Sequence, residues 1–157
     1  MNIGIIVYSQ TGNTLSAAEK IKEGLSGLNH EINIERITSE VEGPTPLENI
    51  ELENIPEIQK YDVVIFGSPV QAFSLASVMK KYLKQIETLK EKEIVGYVTK
   101  GLPFNWTGGT RALRQMKKIC RSRGGELLET GIIKWRDSTR EENIDKLNNK
   151  LNKLFSR

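Results

Sequence analysis

Apolar residues recur along this chain with two alternating periods. MNIGIIVY carries Ile3, Ile5, Ile6 and Val7 almost without interruption, as expected of a strand covered on both faces. Behind it Leu15, Ala18, Ile21, Leu25 and Leu28 fall at helical spacing. EINIERI alternates more clearly, with Ile32, Ile34 and Ile37 apolar, and reads as an edge strand. YDVVIFG is a second fully buried strand. Ser74 is placed to cap a helix whose stripe is Leu75, Val78, Met79, Tyr82, Leu83 and Ile86. EIVGYV is the fourth strand, and residues 109 to 122 predict a helix with Leu113, Met116 and Cys120 inward. ELLETGIIKW is the fifth strand. The last helix opens on a capping-box pattern, Ser138 to Glu141, and buries Ile144, Leu147, Leu151 and Leu154.

Strand and helix thus alternate five times. The alternation weakens only at residues 38 to 60, where Pro44, Pro46 and Pro56 shorten the expected helix or replace it by irregular chain. No repeat, low-complexity tract or long linker divides the sequence, so residues 1–157 are expected to form one domain. The class is α/β, a doubly wound five-stranded parallel sheet with helices on both faces.

Composition narrows the setting. At 38% hydrophobic and 27% charged residues the chain has the balance of an ordinary globular domain. The first strand pattern begins at Ile3 with no basic region before it, so no signal peptide is expected. No apolar run approaches the ~18 residues of a spanning helix, so no membrane association is expected. A single cysteine, Cys120, cannot form an internal disulfide and fits a reducing cytoplasm. Charge is unevenly spread although the formal net is only +3. Residues 31 to 60 hold eight Glu against Arg36 and Lys60, whereas residues 99 to 123 hold seven Lys or Arg and no acid.

In this fold class, chemistry collects in loops at the carboxyl ends of the strands, above all where strand order reverses. Three such loops stand out: SQTGNT, GSPVQAFS and TKGLPFNWTGGT. The first opens a helix, so its N–H groups and the positive end of the helix dipole converge on one point. Gly12 permits close approach, and the Ser9, Thr11 and Thr14 hydroxyls and the Asn13 amide add donors. These parts suit a phosphate monoester held without a formal cation, although a capped turn rich in small polar residues has the same composition. A Walker loop needs a Gly-Lys pair and a dinucleotide fold needs G-x-G-x-x-G at this turn; neither is present. A phosphorelay receiver would need an acidic pair after the first strand, where Ser9 and Gln10 stand. A low-molecular-weight phosphatase would need a cysteine in this loop. His30 and Cys120 lie far apart, which excludes a zinc site and a Ser-His-Asp triad.

On these residues the chain resembles the flavodoxins and related short-chain flavodoxin-like oxidoreductases. The resemblance spans essentially the whole sequence and is most specific in S-Q-T-G-N-T. It implies the strand order 2-1-3-4-5 and FMN as cofactor. Ser9, Gln10, Thr11, Gly12, Asn13 and Thr14 would form the phosphate loop. Ser68, Pro69, Val70, Gln71, Ala72 and Phe73 would flank the flavin ring on one side, and Lys100, Gly101, Phe104, Trp106, Gly108 and Gly109 on the other. Phe73, Phe104 and Trp106 are the aromatic candidates for stacking; Phe73 could equally staple the start of the next helix. The flavin would carry the redox chemistry, so no catalytic side chain and no metal ligand is expected.

The sequence also departs from that family. Flavodoxins are typically acidic, whereas this chain has an isoelectric point near 8.9. Gln71 and Ala72 stand where many members carry a Trp. Lys100 and Arg111 would favour an anionic reduced flavin by Coulomb attraction. Arg111, Arg114, Lys118 and Arg121 recur at three- and four-residue spacing, giving one helix a basic side for an acidic redox protein or for NAD(P)H. No aromatic-interleaved groove supports nucleic acid there. The leading expectation is an FMN-dependent electron-transfer protein. The alternatives are an NAD(P)H-dependent quinone or flavin reductase, and a flavodoxin-like binding module without cofactor.

Overall fold

A computed structural model of the chain describes residues 1–101 and 108–156. Its strands and helices run β1 (Asn2–Val7), α1 (Asn13–Leu25), β2 (Glu31–Arg36), β3 (Thr38–Ser39), β4 (Leu52–Asn54), β5 (Val63–Gln71), β6 (Ser74–Leu75), α2 (Ser77–Gln85), β7 (Glu93–Lys100), α3 (Gly109–Ser122), β8 (Leu127–Lys134) and α4 (Arg140–Phe155). The main sheet has the order β2-β1-β5-β7-β8, with each of these pairs parallel. Counting only its five long strands, this is the expected 2-1-3-4-5 order. EINIERI is an edge strand, as its alternation predicts.

Burial explains why the central strands read as unbroken apolar runs. Successive side chains on a strand point to opposite faces. In β1, Ile3, Ile5 and Val7 enter a core with α1 and α4, while Ile6 and the following Tyr8 enter a second core with α2 and α3. In β5, Val63 and Ile65 take the first side, and Val64 and Phe66 the second. Helices therefore cover both faces. The Pro-interrupted stretch 38–60 holds only the β3–β4 antiparallel pair and one short 3₁₀ turn at Leu47–Asn49. Among the described residues, no helix is long and apolar enough to cross a membrane.

Two expected helix starts are corrected. Ser74 does not cap α2. β5 continues to Gln71 and folds back on β6 with Val70 opposite Leu75 and Gln71 opposite Ser74, so α2 begins only at Ser77. The hairpin satisfies the backbone there, and the Ser74 hydroxyl instead donates to Gln115 Oε1 of α3 at 2.9 Å. The stretch 68–71, expected as loop, is thus strand. Ser138 and Glu141 likewise form no capping box. The Asp137 carboxylate accepts the Thr139 N–H at 3.1 Å and the Ser138 hydroxyl at 3.4 Å, and α4 starts at Arg140. A carboxylate that reaches an N–H two residues on closes a turn of its own and displaces the cap.

Candidate functional site

The turn after β1 is built around Gly12, whose φ of +94° lies in the region that favours glycine. It lets the chain reverse into α1 within one residue, and the first helical bond closes from Ser16 N–H to the Gly12 carbonyl at 2.9 Å. The amides of the first turn have no intrahelical acceptor. Leu15 N–H finds one in the Ser9 hydroxyl at 3.2 Å, so Ser9 supplies the cap that Gly12 cannot. The N–H groups of Gly12, Asn13 and Thr14 remain at the helix start, where the dipole favours an anion. A Cβ on Gly12 would meet nothing within 4 Å, so the space over this turn is open.

Thr14 has a different role from the hydroxyls around it. It is 1% exposed, and its Oγ1 shares a 2.8 Å hydrogen bond with Thr99 Oγ1 of β7. The buried Tyr97 hydroxyl donates to the Thr14 carbonyl at 2.7 Å. Burial pushes the Tyr97 phenol far above its ordinary range, so it remains a donor. Helix α1 is therefore pinned to β7 directly behind the turn.

A cleft of about 200 Å³ opens beside this turn, lined by Gln10, Thr11, Asn13, Pro69, Val70, Gln71, Thr99, Lys100, Gly101 and Arg136. Residues from all three loops meet in it. Gln71 ties two of them together, donating from Nε2 to Gln10 Oε1 at 2.6 Å and to the Glu42 carbonyl at 2.9 Å. The Tyr8 hydroxyl donates to the same Glu42 carbonyl at 2.8 Å, which anchors the irregular acidic segment at the cleft mouth. A larger cavity of about 610 Å³ lies beside Ile55–Gln59 and the carboxyl end of α2, near Lys92, which precedes β7. It sits at the amino ends of the strands, away from the exposed helix start.

Other expected site residues lie around the cleft rather than in it. Ser9 and Ser68 are buried, and Ser68 Oγ donates to the Pro69 carbonyl at 3.0 Å. Ala72 and Phe73 form the hairpin turn with φ of +48° and +60°, a two-residue geometry more usual for Asn-Gly. Phe73 is 51% exposed and stands three residues before Ala76, the N-cap of α2, so the position of a hydrophobic staple falls to Leu75 instead. Gly108, at φ +97°, packs under that turn; a Cβ on it would stand 2.5 Å from the Phe73 Cα. Gly109 is buried at the start of α3. Phe104 and Trp106 lie outside the described residues.

One lining residue escapes the loop-by-loop reading, Arg136, while Thr99 opens the third loop but is not among its expected flavin-flanking residues. Arg136 follows the fifth strand, whose carboxyl end opens on the same side of the sheet as the other three loops. That position was its sequence signal.

Arg111, Arg114 and Lys118 are exposed on α3 and make no ion pair with described residues, while Arg121 lies 3.7 Å from Glu126. Burial holds Lys80 of α2 below the usual lysine range, and the charges of Arg111 and Lys84 add to the effect. The basic face therefore extends from α3 onto α2. Arg111 belongs to this face and does not line the described cleft. Cys120 is buried on the inner side of α3, its thiol pushed up to about 12 by desolvation.

No protein-family model matches the chain. Solved structures that resemble it are flavodoxins and flavoproteins. Oxidised flavodoxin 1 from Bacillus cereus is 16% identical and matches 99% of this chain and 97% of its own, with a TM-score of 0.69. The Fusobacterium nucleatum flavodoxin bound to flavin mononucleotide is 16% identical, covering 98% of each chain, with a TM-score of 0.64. A flavoprotein in complex with FMN from Lactobacillus acidophilus NCFM is 19% identical over 93% of this chain and 97% of its own, with a TM-score of 0.63. The fold is that of the flavodoxins. In sequence, the chain is 30% identical over 107 residues to the NAD(P)H dehydrogenase (quinone) of Archaeoglobus fulgidus, covering 60% of this chain. It spans only 56% of that relative's length.

Proposed function

We propose that the chain binds FMN at the start of α1 and passes electrons through it. The observation that carries this reading is the set of first-turn amides of Gly12, Asn13 and Thr14 left at a helix start, beside the Thr11 hydroxyl and the Asn13 amide, where strand order reverses. Those groups would hold the phosphate. Gln10, Pro69, Val70, Gln71, Lys100 and Gly101 would wall the ring. The donor set fits a dianionic phosphate: several N–H and O–H groups, an open approach and a helix dipole. Bound FMN would supply the redox chemistry, and the protein's part is to bind, orient and shield it. The soluble sequence pattern and lone buried thiol suit work in a reducing cytoplasm.

Thr11 tests the phosphate assignment because it is exposed and its removal leaves the core untouched. Thr11→Val keeps the branched shape and deletes the donor. FMN affinity is expected to fall by ~1.5–3 kcal/mol, the scale of a hydrogen bond to a charged group. Riboflavin, lacking the phosphate, should bind the variant as it binds wild type. An unchanged FMN dissociation constant would remove Thr11 from the phosphate site.

The electron donor or acceptor is a redox partner protein or NAD(P)H, met by the basic face of Arg111, Arg114, Lys118 and Arg121. Charge beside the cofactor site would steer an acidic partner or a nucleotide phosphate, an effect that salt screens. Reversing Arg114 and Lys118 to Glu should leave the melting temperature and FMN affinity near wild type. Reduction by the donor should slow, most at low ionic strength. Equal rates across a salt series would show that this face is merely solvated. An NAD(P)H-dependent quinone reductase is the second reading, favoured by the similarity to the Archaeoglobus fulgidus enzyme.

A further inference from the structure

Among the described residues lining the cleft, two are cations, Lys100 and Arg136, and none is a carboxylate. Lys100 and Lys134 stand opposite each other in the β7–β8 register. The Trp135 N–H then donates to the Lys100 carbonyl at 2.8 Å, carrying the ladder one residue beyond the strand. The chain thereby delivers residue 136 beside Gly101. A Cβ on Gly101 would lie 3.8 Å from Arg136 Nε and 4.0 Å from Cζ, ordinary contact distances that place the guanidinium beside Gly101 at the cleft wall.

Two charged residues that follow Arg136, Asp137 and Arg140, are engaged in the turn before α4. Asp137 accepts the Thr139 N–H and the Ser138 hydroxyl in its own turn. Arg140 stacks 4.7 Å over the Trp135 ring and donates to the Trp135 carbonyl at 3.3 Å. No ion pair joins Arg136 to an acid among the described residues. Lys100 is 5% exposed, and burial, with the charge of Lys134 added, holds it below the usual lysine range. Arg136 therefore presents an exposed positive charge at this wall, and an anion in the cleft would be attracted to it.

We propose that Arg136, backed by Lys100, makes the cleft selective for the anionic, two-electron-reduced form of its flavin, and so matches it to a hydride donor of the dihydronicotinamide class. This rests on the FMN reading above and deepens it. In that transfer a C–H bond of the donor breaks and an N–H bond forms on the ring. The donor leaves oxidised by two electrons. The ring gains two electrons and one proton, and hence one negative charge. A nearby cation stabilises that product and has little to attract in the neutral oxidised ring. Carboxylates at the same wall would act in the opposite sense.

The test is potentiometric titration of FMN-loaded wild type, Arg136→Gln and Arg136→Lys, with oxidised FMN and riboflavin affinities measured in parallel. Arg136 is exposed, so folding is not at stake. Arg136→Gln is expected to lose about tenfold of the preference for reduced over oxidised flavin, which lowers the two-electron midpoint by about 30 mV. Arg136→Lys should recover most of that shift, and both oxidised ligands should bind all three proteins alike. A midpoint unchanged in Arg136→Gln overturns the proposal. So does a tenfold loss of FMN affinity with riboflavin and midpoint untouched, which would make Arg136 a phosphate ligand. Wild type that binds no flavin overturns the cofactor reading itself, and this inference with it.

Discussion

Replacing Gly12 by Val is expected to weaken FMN binding at least about a hundredfold while leaving the protein folded. A Cβ at Gly12 meets nothing within 4 Å, so the effect is one of backbone and not of collision. At φ +94° a β-branched residue is strained by ~1–3 kcal/mol. The exposed turn relieves that strain by swinging its peptides, which re-aims the amides of residues 12 and 13. Two lost hydrogen bonds to a charged phosphate, at ~1.5–3 kcal/mol each, account for about two or more decades of affinity. Gly12→Asn is the informative companion, because Asn tolerates positive φ better than other side chains. It should bind FMN more tightly than the Val variant, and flavin titration of both reads the difference. Equal, near-wild-type affinity in the two variants would dissociate this turn from the phosphate.

The second large effect is expected in the core. Gly67 of β5 lies opposite Tyr97 of β7, and a Cβ on Gly67 would stand 2.3 Å from Tyr97 Cζ. The ring has no free space to move into, since Tyr97 is fully buried and its hydroxyl is committed to the Thr14 carbonyl. Gly67→Ala should therefore destabilise by ~3 kcal/mol, the upper range for overpacking a filled core. For a chain of this size that is a drop of about 6–12 °C in melting temperature. Because the same ring supports α1 just behind the Gly12 turn, FMN affinity should fall as well. Tyr97→Phe removes only the hydroxyl and should cost ~1 kcal/mol. Melting of Gly67→Ala within 2 °C of wild type would mean that the sheet opens more easily than this packing implies.

What the sequence made legible follows from which interactions are local. The apolar periods of β1, β5, α1 and α3 identify their elements because each buried residue is set by the strand or helix repeat itself. The Gly12 turn was readable for the same reason: SQTGNT holds glycine, donors and helix start within six residues. The β5–β6 hairpin was hidden because Ala72 and Phe73 adopt positive φ without the Asn-Gly that ordinarily announces such a turn. The Ser138 box failed because Asp137, one residue earlier, competes for the same backbone. The inward bond of Thr14 depends on Thr99, 85 residues away, and no local pattern reports that. Arg136 joins the cleft only through the β7–β8 register, a long-range fact of the sheet.

Titration of flavin-free protein with FMN, FAD and riboflavin, followed by quenching of flavin fluorescence, tests the central claim most directly. One compact anion cradle at the start of α1, and no second nucleotide fingerprint, predicts FMN as the tightest ligand. Riboflavin should be weaker by the phosphate's share, and FAD weaker than FMN. FAD binding as tight as FMN, or riboflavin equal to FMN, would contradict the assignment of the Gly12 turn to a phosphate monoester.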